Sequence, residues 1–158
     1  MRFEASNAAA GMPSGALIYR ADEYSFDTEP AAIGAFTSAT IDYLSLELDS
    51  HGKIVSVWGL CPHNRWIGAS LTVPMAEHGD IVLVPDSPLV PGGSMGIGSK
   101  WPVLVDRSSG WVCVRGDPAA YTATNILPGV IVELSRQGDI ASVWLKPQSL
   151  PRKRGNEK

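Results

Sequence analysis

The side chains best suited to chemistry sit in one short run, Cys61-Pro62-His63-Asn64-Arg65-Trp66. In an extended segment, residues two apart face the same side, so Cys61 and His63 converge. A thiol beside an imidazole makes a nucleophile–base pair, with Cys61 attacking and His63, or else His78, taking the proton. Arg65 would then clamp an anion, with Trp58 and Trp66 as apolar walls. The same thiol and imidazole also suit zinc, but a structural zinc needs four ligands. His51, His78 and Cys113 show no ligand spacing relative to this pair, so neither a metal nor a cofactor is expected. Free cysteine is among the most buried residue types, which makes a structural thiol the competing reading of Cys61. A Cys61–Cys113 disulfide is disfavoured in a chain without a secretory signal.

Other signatures are broken or missing. Gly96-Ile97-Gly98-Ser99-Lys100 lacks the order of a phosphate-binding loop. There is no G-x-S-x-G elbow and no H-E-x-x-H. Glu77 and Asp80 flank His78 as a general-base cluster would, or as solvated turn residues do. Five tryptophans stand at 58, 66, 101, 111 and 144. Trp58 and Trp144 sit at matched hairpin positions, which argues for core or sheet-face packing, whereas Trp66, Trp101 and Trp111 lie in or next to loops, where an exposed tryptophan anchors protein partners and sugars. The candidate binding residues are Trp58, Cys61, His63, Arg65, Trp66 and Trp101.

The elements that must position these residues read as strands and turns. In Asp42-Tyr43-Leu44-Ser45-Leu46-Glu47-Leu48 the leucines point one way and Tyr43, Ser45 and Glu47 the other. That period of two marks a half-buried strand. Asp49-Ser50-His51-Gly52 is a turn ending in glycine, and Lys53–Trp58 returns, completing a hairpin. The pattern recurs 86 residues later: 46–58 reads LELDSHGKIVSVW and 132–144 reads VELSRQGDIASVW, with seven of thirteen positions identical. An internally repeated hairpin follows, by duplication or by convergence. A third hairpin spans 102–115 around Asp106–Gly110. Shorter strands are expected at 16–20, 69–73 and 81–84, and two short helix starts at Glu29-Pro30 and Asp117-Pro118 have no room to extend. Residues 85–99, PDSPLVPGGSMGIGS, read as an irregular loop, either a crossover between sheets or a lid over a pocket.

Residues 128–145, PGVIVELSRQGDIASVWL, resemble the closing hairpin of a small uncharacterised bacterial β-rich family. Pro128, Gly129, Val132, Leu134, Gly138 and Ile140 carry the likeness. Ser135 stands where that motif usually has Asp, and Trp144 replaces an acidic-aliphatic ending. The likeness covers less than a fifth of the chain and implies a hairpin without an activity.

Composition sets the frame. A chain of 158 residues with 44% apolar and 18% charged side chains is too apolar for wholesale disorder and suits one domain. No apolar run is long enough for a membrane helix, and nothing at the N-terminus reads as a secretory signal, so a cytoplasmic protein is expected. Between Arg20 and Lys53 there is no Lys or Arg, while Asp22, Glu23, Asp27, Glu29, Asp42, Glu47 and Asp49 fall in that window. Arg152, Lys153, Arg154 and Lys158 make the end basic. An acidic body repels nucleic acid, so binding through that tail ranks last among the readings.

The expected architecture is all-β: one antiparallel barrel or two-sheet sandwich with three hairpins and little helix. It comprises a flexible N-terminus at 1–15, a β domain at 16–147 and a disordered basic tail at 148–158. The leading expectation for function is a non-enzymatic protein-binding module, immunity- or inhibitor-like, with a basic partner, acting as a monomer or homodimer. The alternative is a small-molecule-binding barrel or small enzyme with its pocket at Cys61 and His63.

Overall fold

In the computed structural model, which describes residues 2–8 and 10–153, alternating apolar and polar side chains set most of the strands. Strands β1 to β6 are Arg2–Asn7, Ala16–Arg20, Ser25–Glu29, Thr37–Ile41, Leu44–Leu48 and Ile54–Leu60. Strands β7 to β9 are Ile67–Gly68, Glu77–Val84 and Ser94–Gly98. Strands β10 to β14 are Val103–Asp106, Trp111–Arg115, Thr122–Leu127, Val130–Leu134 and Ile140–Leu145. The only helical piece among the described residues is a 3-10 turn, His63–Arg65. No helix there is long and apolar enough to cross a membrane.

The strands form two sheets. One has eight strands in the order β1-β8-β12-β13-β14-β11-β10-β7, the other six in the order β2-β3-β6-β5-β4-β9. Their inner faces meet in one core. Leu44, Leu46, Leu48, Ile54 and Val57 come from the smaller sheet, and Val112, Val130, Val132, Val143 and Leu145 from the larger. Burying each such side chain stabilises the fold by about 1.5–3 kcal/mol. The arrangement is a sandwich, not a barrel.

Five consecutive strands recur with the same pairings. In β2–β3, Leu17 faces Thr28 and Tyr19 faces Phe26; in β10–β11, Val103 faces Val114 and Val105 faces Val112. Phe26 faces Gly59 across β3–β6, as Val112 faces Leu145 across β11–β14. In β5–β6, Ser45 faces Trp58 and Glu47 faces Ser56; in β13–β14, Ile131 faces Trp144 and Glu133 faces Ser142. Both hairpins shift register at the same place, after Glu47 and after Glu133. Strands β4–β5 and β12–β13 also correspond, with a bulge between Asn125 and Leu127 absorbing one extra residue. We call residues 16–60 the first unit and 102–146 the second.

The turns repeat as well. Gly52 and Gly138 each have φ of +87°, where a side chain is strained. Each sits against a strand: Leu83 donates its N–H to the Gly52 carbonyl and Phe3 to the Gly138 carbonyl, both at 2.8 Å. Leu83 and Phe3 are themselves partners across β1–β8.

Several expectations need correction. The sheets are mixed: β9 runs parallel to β4, β8 to β12 and β7 to β10. The 61–101 connection brings these three strands to both sheets, an ordering local hairpin patterns do not reveal. The N-terminus expected to be flexible contributes β1, because Phe3 is buried in the core and the strand pairs along β8. The tail from 148 is tied down at its start: Gln148 donates its N–H to the Leu17 carbonyl at 2.9 Å, and the buried Pro151 accepts from Arg107 at 2.6 Å. Arg154 to Lys158 lie outside the described residues. The 85–99 loop contains β9. Residues 69–73 form no ladder, and neither Pro30 nor Pro118 opens a helix.

Candidate functional site

The Cys61–Trp66 run enters the core instead of a cleft. Cys61 and Trp66 are buried, and His63 is 8% exposed. The Tyr19 hydroxyl donates to the Cys61 carbonyl at 2.8 Å and accepts from the His63 backbone N–H at 3.0 Å. Its single proton is thereby used, so His63 Nδ1 is the donor across its 3.2 Å contact with the same oxygen. Tyr24 stacks on the His63 ring at 5.0 Å, and Trp66 packs against Tyr19 at 4.9 Å. Burial pushes the Cys61 thiol up to about 12. A thiol so raised is a poor nucleophile at neutral pH. Arg65 is exposed on the 3-10 turn. Trp101 is half-buried, seated against Gly98 and Gly116, with Asp42 holding its backbone N–H at 3.3 Å. Among the described residues, no three His, Cys, Asp or Glu side chains gather as metal ligands.

Trp58 stands apart from that run. It is 51% exposed on the outer face of the six-stranded sheet, at a shallow depression that it lines with Tyr43, Leu60, Arg20, Glu23 and Asp27. Tyr43 is 76% exposed. Arg20 makes an ion pair with Glu29 and lies 3.6 Å from Asp27 and 3.7 Å from Glu23. Three carboxylates against one guanidinium leave the rim negative. Cys61, His63, Arg65, Trp66 and Trp101 do not line this depression. Tyr43 and Leu60 were missed from sequence; the signal was Tyr43 on the polar side of the Leu44–Leu48 alternation.

The matching face of the second unit is closed. Trp144 is 2% exposed and packs with Cys113 and Ile131 in a second apolar cluster. Residues 69–76 run over it, placing Leu71, Val73 and Ala76 on the cluster. This strap is anchored at its start: Ala69 donates its N–H to the Val105 carbonyl, and Leu71 donates to Asp106 Oδ2, both at 2.9 Å. That Leu71 N–H, followed by the Ser108 hydroxyl, holds the Asp106 carboxyl down at about 2. The Trp144 indole N–H donates to Glu133 at 2.6 Å, and the Arg115 guanidinium lies 5.9 Å from its ring. The sequence explains why only one face is covered. Ile131, Cys113 and Ala123 of the second unit correspond to Ser45, Asp27 and Ser38 of the first.

A separate cavity of about 320 Å³ lies where the sheets meet the 10–16 and 30–33 segments. Lys53, His78 and Asp80 reach it among Ile54, Val55 and Ile126. Lys53 lies 3.7 Å from Asp80, and His78 Nδ1 donates to the Asn125 carbonyl at 2.9 Å. Glu77, His78 and Asp80, expected on a turn, are thus on β8, and His78 and Asp80 without Glu77 face space large enough for a small ligand.

Fold and site together define a mixed-β sandwich with one sealed and one open aromatic outer face. No protein-family model and no curated protein matches the chain.

Proposed function

We propose that this chain is a non-enzymatic binding protein that engages a partner protein through the open outer face of its six-stranded sheet. One observation carries the reading: Trp58 is half exposed beside Tyr43, whereas Trp144, at the matching position, is sealed by the chain's own strap. Tryptophan and tyrosine are among the side chains most enriched at the energetic centres of protein interfaces. The negative rim favours a basic partner and a salt-sensitive association. The two units are read as copies of one duplicated five-strand element, of which one kept its outer face free.

A photo-crosslinking phenylalanine analogue at Tyr43, in the cell the protein comes from, tests this. The Tyr43 variant is expected to yield one discrete crosslinked species. The same probe at Met75, fully exposed on the strap, is expected to yield none. The same products from both positions would contradict the reading.

The cavity at Lys53, His78 and Asp80 favours a second reading, a small-molecule site. Native mass spectrometry of protein purified gently from its own host checks it. An added ligand mass that disappears in His78→Phe supports it, and a bare chain counts against a tightly held ligand.

A further inference from the structure

We infer that the depression beside Trp58 receives an arginine or lysine side chain presented by the partner, an inference that rests on the binding reading above. The argument comes from what the second unit does internally. There, Trp144 carries a cation of its own, Arg115, and the neighbouring Trp111 carries Lys146 at 6.0 Å. Cations over aromatic faces are held by the ring's negative charge density.

The first unit lacks both cations at those places and adds carboxylates. Glu29 stands where the second unit has Arg115, Asp27 where it has Cys113, and Leu60 where it has Lys146. Trp58 therefore has an exposed ring, no cation at the position matching Arg115, and Glu23 and Asp27 lining the depression with it. Arg20 neutralises only one of Glu23, Asp27 and Glu29. A cationic side chain entering here would lay its aliphatic stem along Trp58 and Leu60 and pair its head with Glu23 and Asp27. An anionic or purely apolar segment would leave the carboxylates desolvated without partners, which is costly.

The test uses the full chain, labelled with nitrogen-15, and follows the tryptophan indole N–H signals. One probe is a short acetylated and amidated peptide of alternating valine and arginine. The other has glutamate in place of arginine. The arginine peptide is expected to move the Trp58 signal and leave Trp144 in place. Trp58→Ala should weaken binding by about tenfold, and Asp27→Asn by a few-fold, with the fold intact by thermal melt. Raising the salt should weaken it further.

Equal binding of the glutamate peptide, or unchanged binding in Trp58→Ala, overturns the cation site. Failure of both peptides at millimolar concentration also overturns it. The crosslink at Tyr43 would survive that result, so the wider binding reading falls only on its own experiment. A version ending at Pro151 identifies the remaining occupant. If its removal of residues 152–158 alone moves the Trp58 signal, the chain's own basic tail fills the site and the partner assignment is wrong.

Discussion

Trp58 and Trp144 occupy one position in two five-strand units of the same register, yet their surroundings have opposite character. Around Trp144 the outward residues are Ile131, Cys113 and Ala123, and a strap anchored on Asp106 covers them. Around Trp58 they are Ser45, Asp27 and Ser38, and the ring stays at the surface. The inner residues of both units are aliphatic and feed one core. The inner face therefore dictates the fold, while the outer face is free to differ. That is where a binding surface can be built without loss of stability.

The sharpest way to break this comparison is truncation of the two rings. Trp144→Ala empties a closed site and should cost about 3–5 kcal/mol of stability. Trp58→Ala should cost less than about 1 kcal/mol, since the ring is half exposed. Chemical denaturation of both variants measures this, and equal losses would mean that the first face is packed after all.

Alanine at the two turn glycines comes next. A side-chain carbon on Gly52 would lie 2.9 Å from the Leu83 carbonyl oxygen, and one on Gly138 2.8 Å from that of Phe3. Both φ values also strain any L side chain. Each substitution should cost more than about 1 kcal/mol, by similar amounts. A large difference between them in thermal melts would show that the two turns bear unequal load.

The strap supplies a pH signature. Asp106 is held at about 2 when folded, below the about 3.9 of an unfolded aspartate. Its contribution is complete above pH about 4 and is lost as pH falls through about 2. Asp106→Asn should flatten that part of the melting-temperature profile and speed exchange of the Leu71 amide. Unchanged acid sensitivity would mean that the strap is held by its apolar side chains alone.

A smaller effect is expected from Glu29→Arg, which gives Trp58 the cation that Trp144 already has. The arginine peptide should bind this variant about threefold more weakly, read by the same indole signals. Tighter binding would contradict the charge comparison.

The sequence carried much of the fold, unevenly. The Leu44–Leu48 alternation, both glycine-ended turns and the 102–115 hairpin are local patterns, and each became the expected hairpin. Parallel pairings such as β4 with β9 join residues more than fifty positions apart and leave no local trace. Phe3, one aromatic in a polar segment, gave little sign that β1 is core-bound. The chemistry-rich run was legible as residue types but not as burial. Cys61 and His63 are engaged by Tyr19 and Tyr24, which lie some forty residues earlier in the chain. Trp58 was legible as a candidate, whereas its neighbours Tyr43 and Leu60 became visible only once β5 and β6 were paired.

The most direct test of the central claim is a set of dissociation constants for the purified protein crosslinked at Tyr43. Wild type, Trp58→Ala and Met75→Ala are to be compared at one salt concentration. The open-face account predicts that Trp58→Ala raises Kd by about tenfold or more, while Met75→Ala leaves it unchanged. A Trp58→Ala protein that binds as tightly as wild type would contradict it.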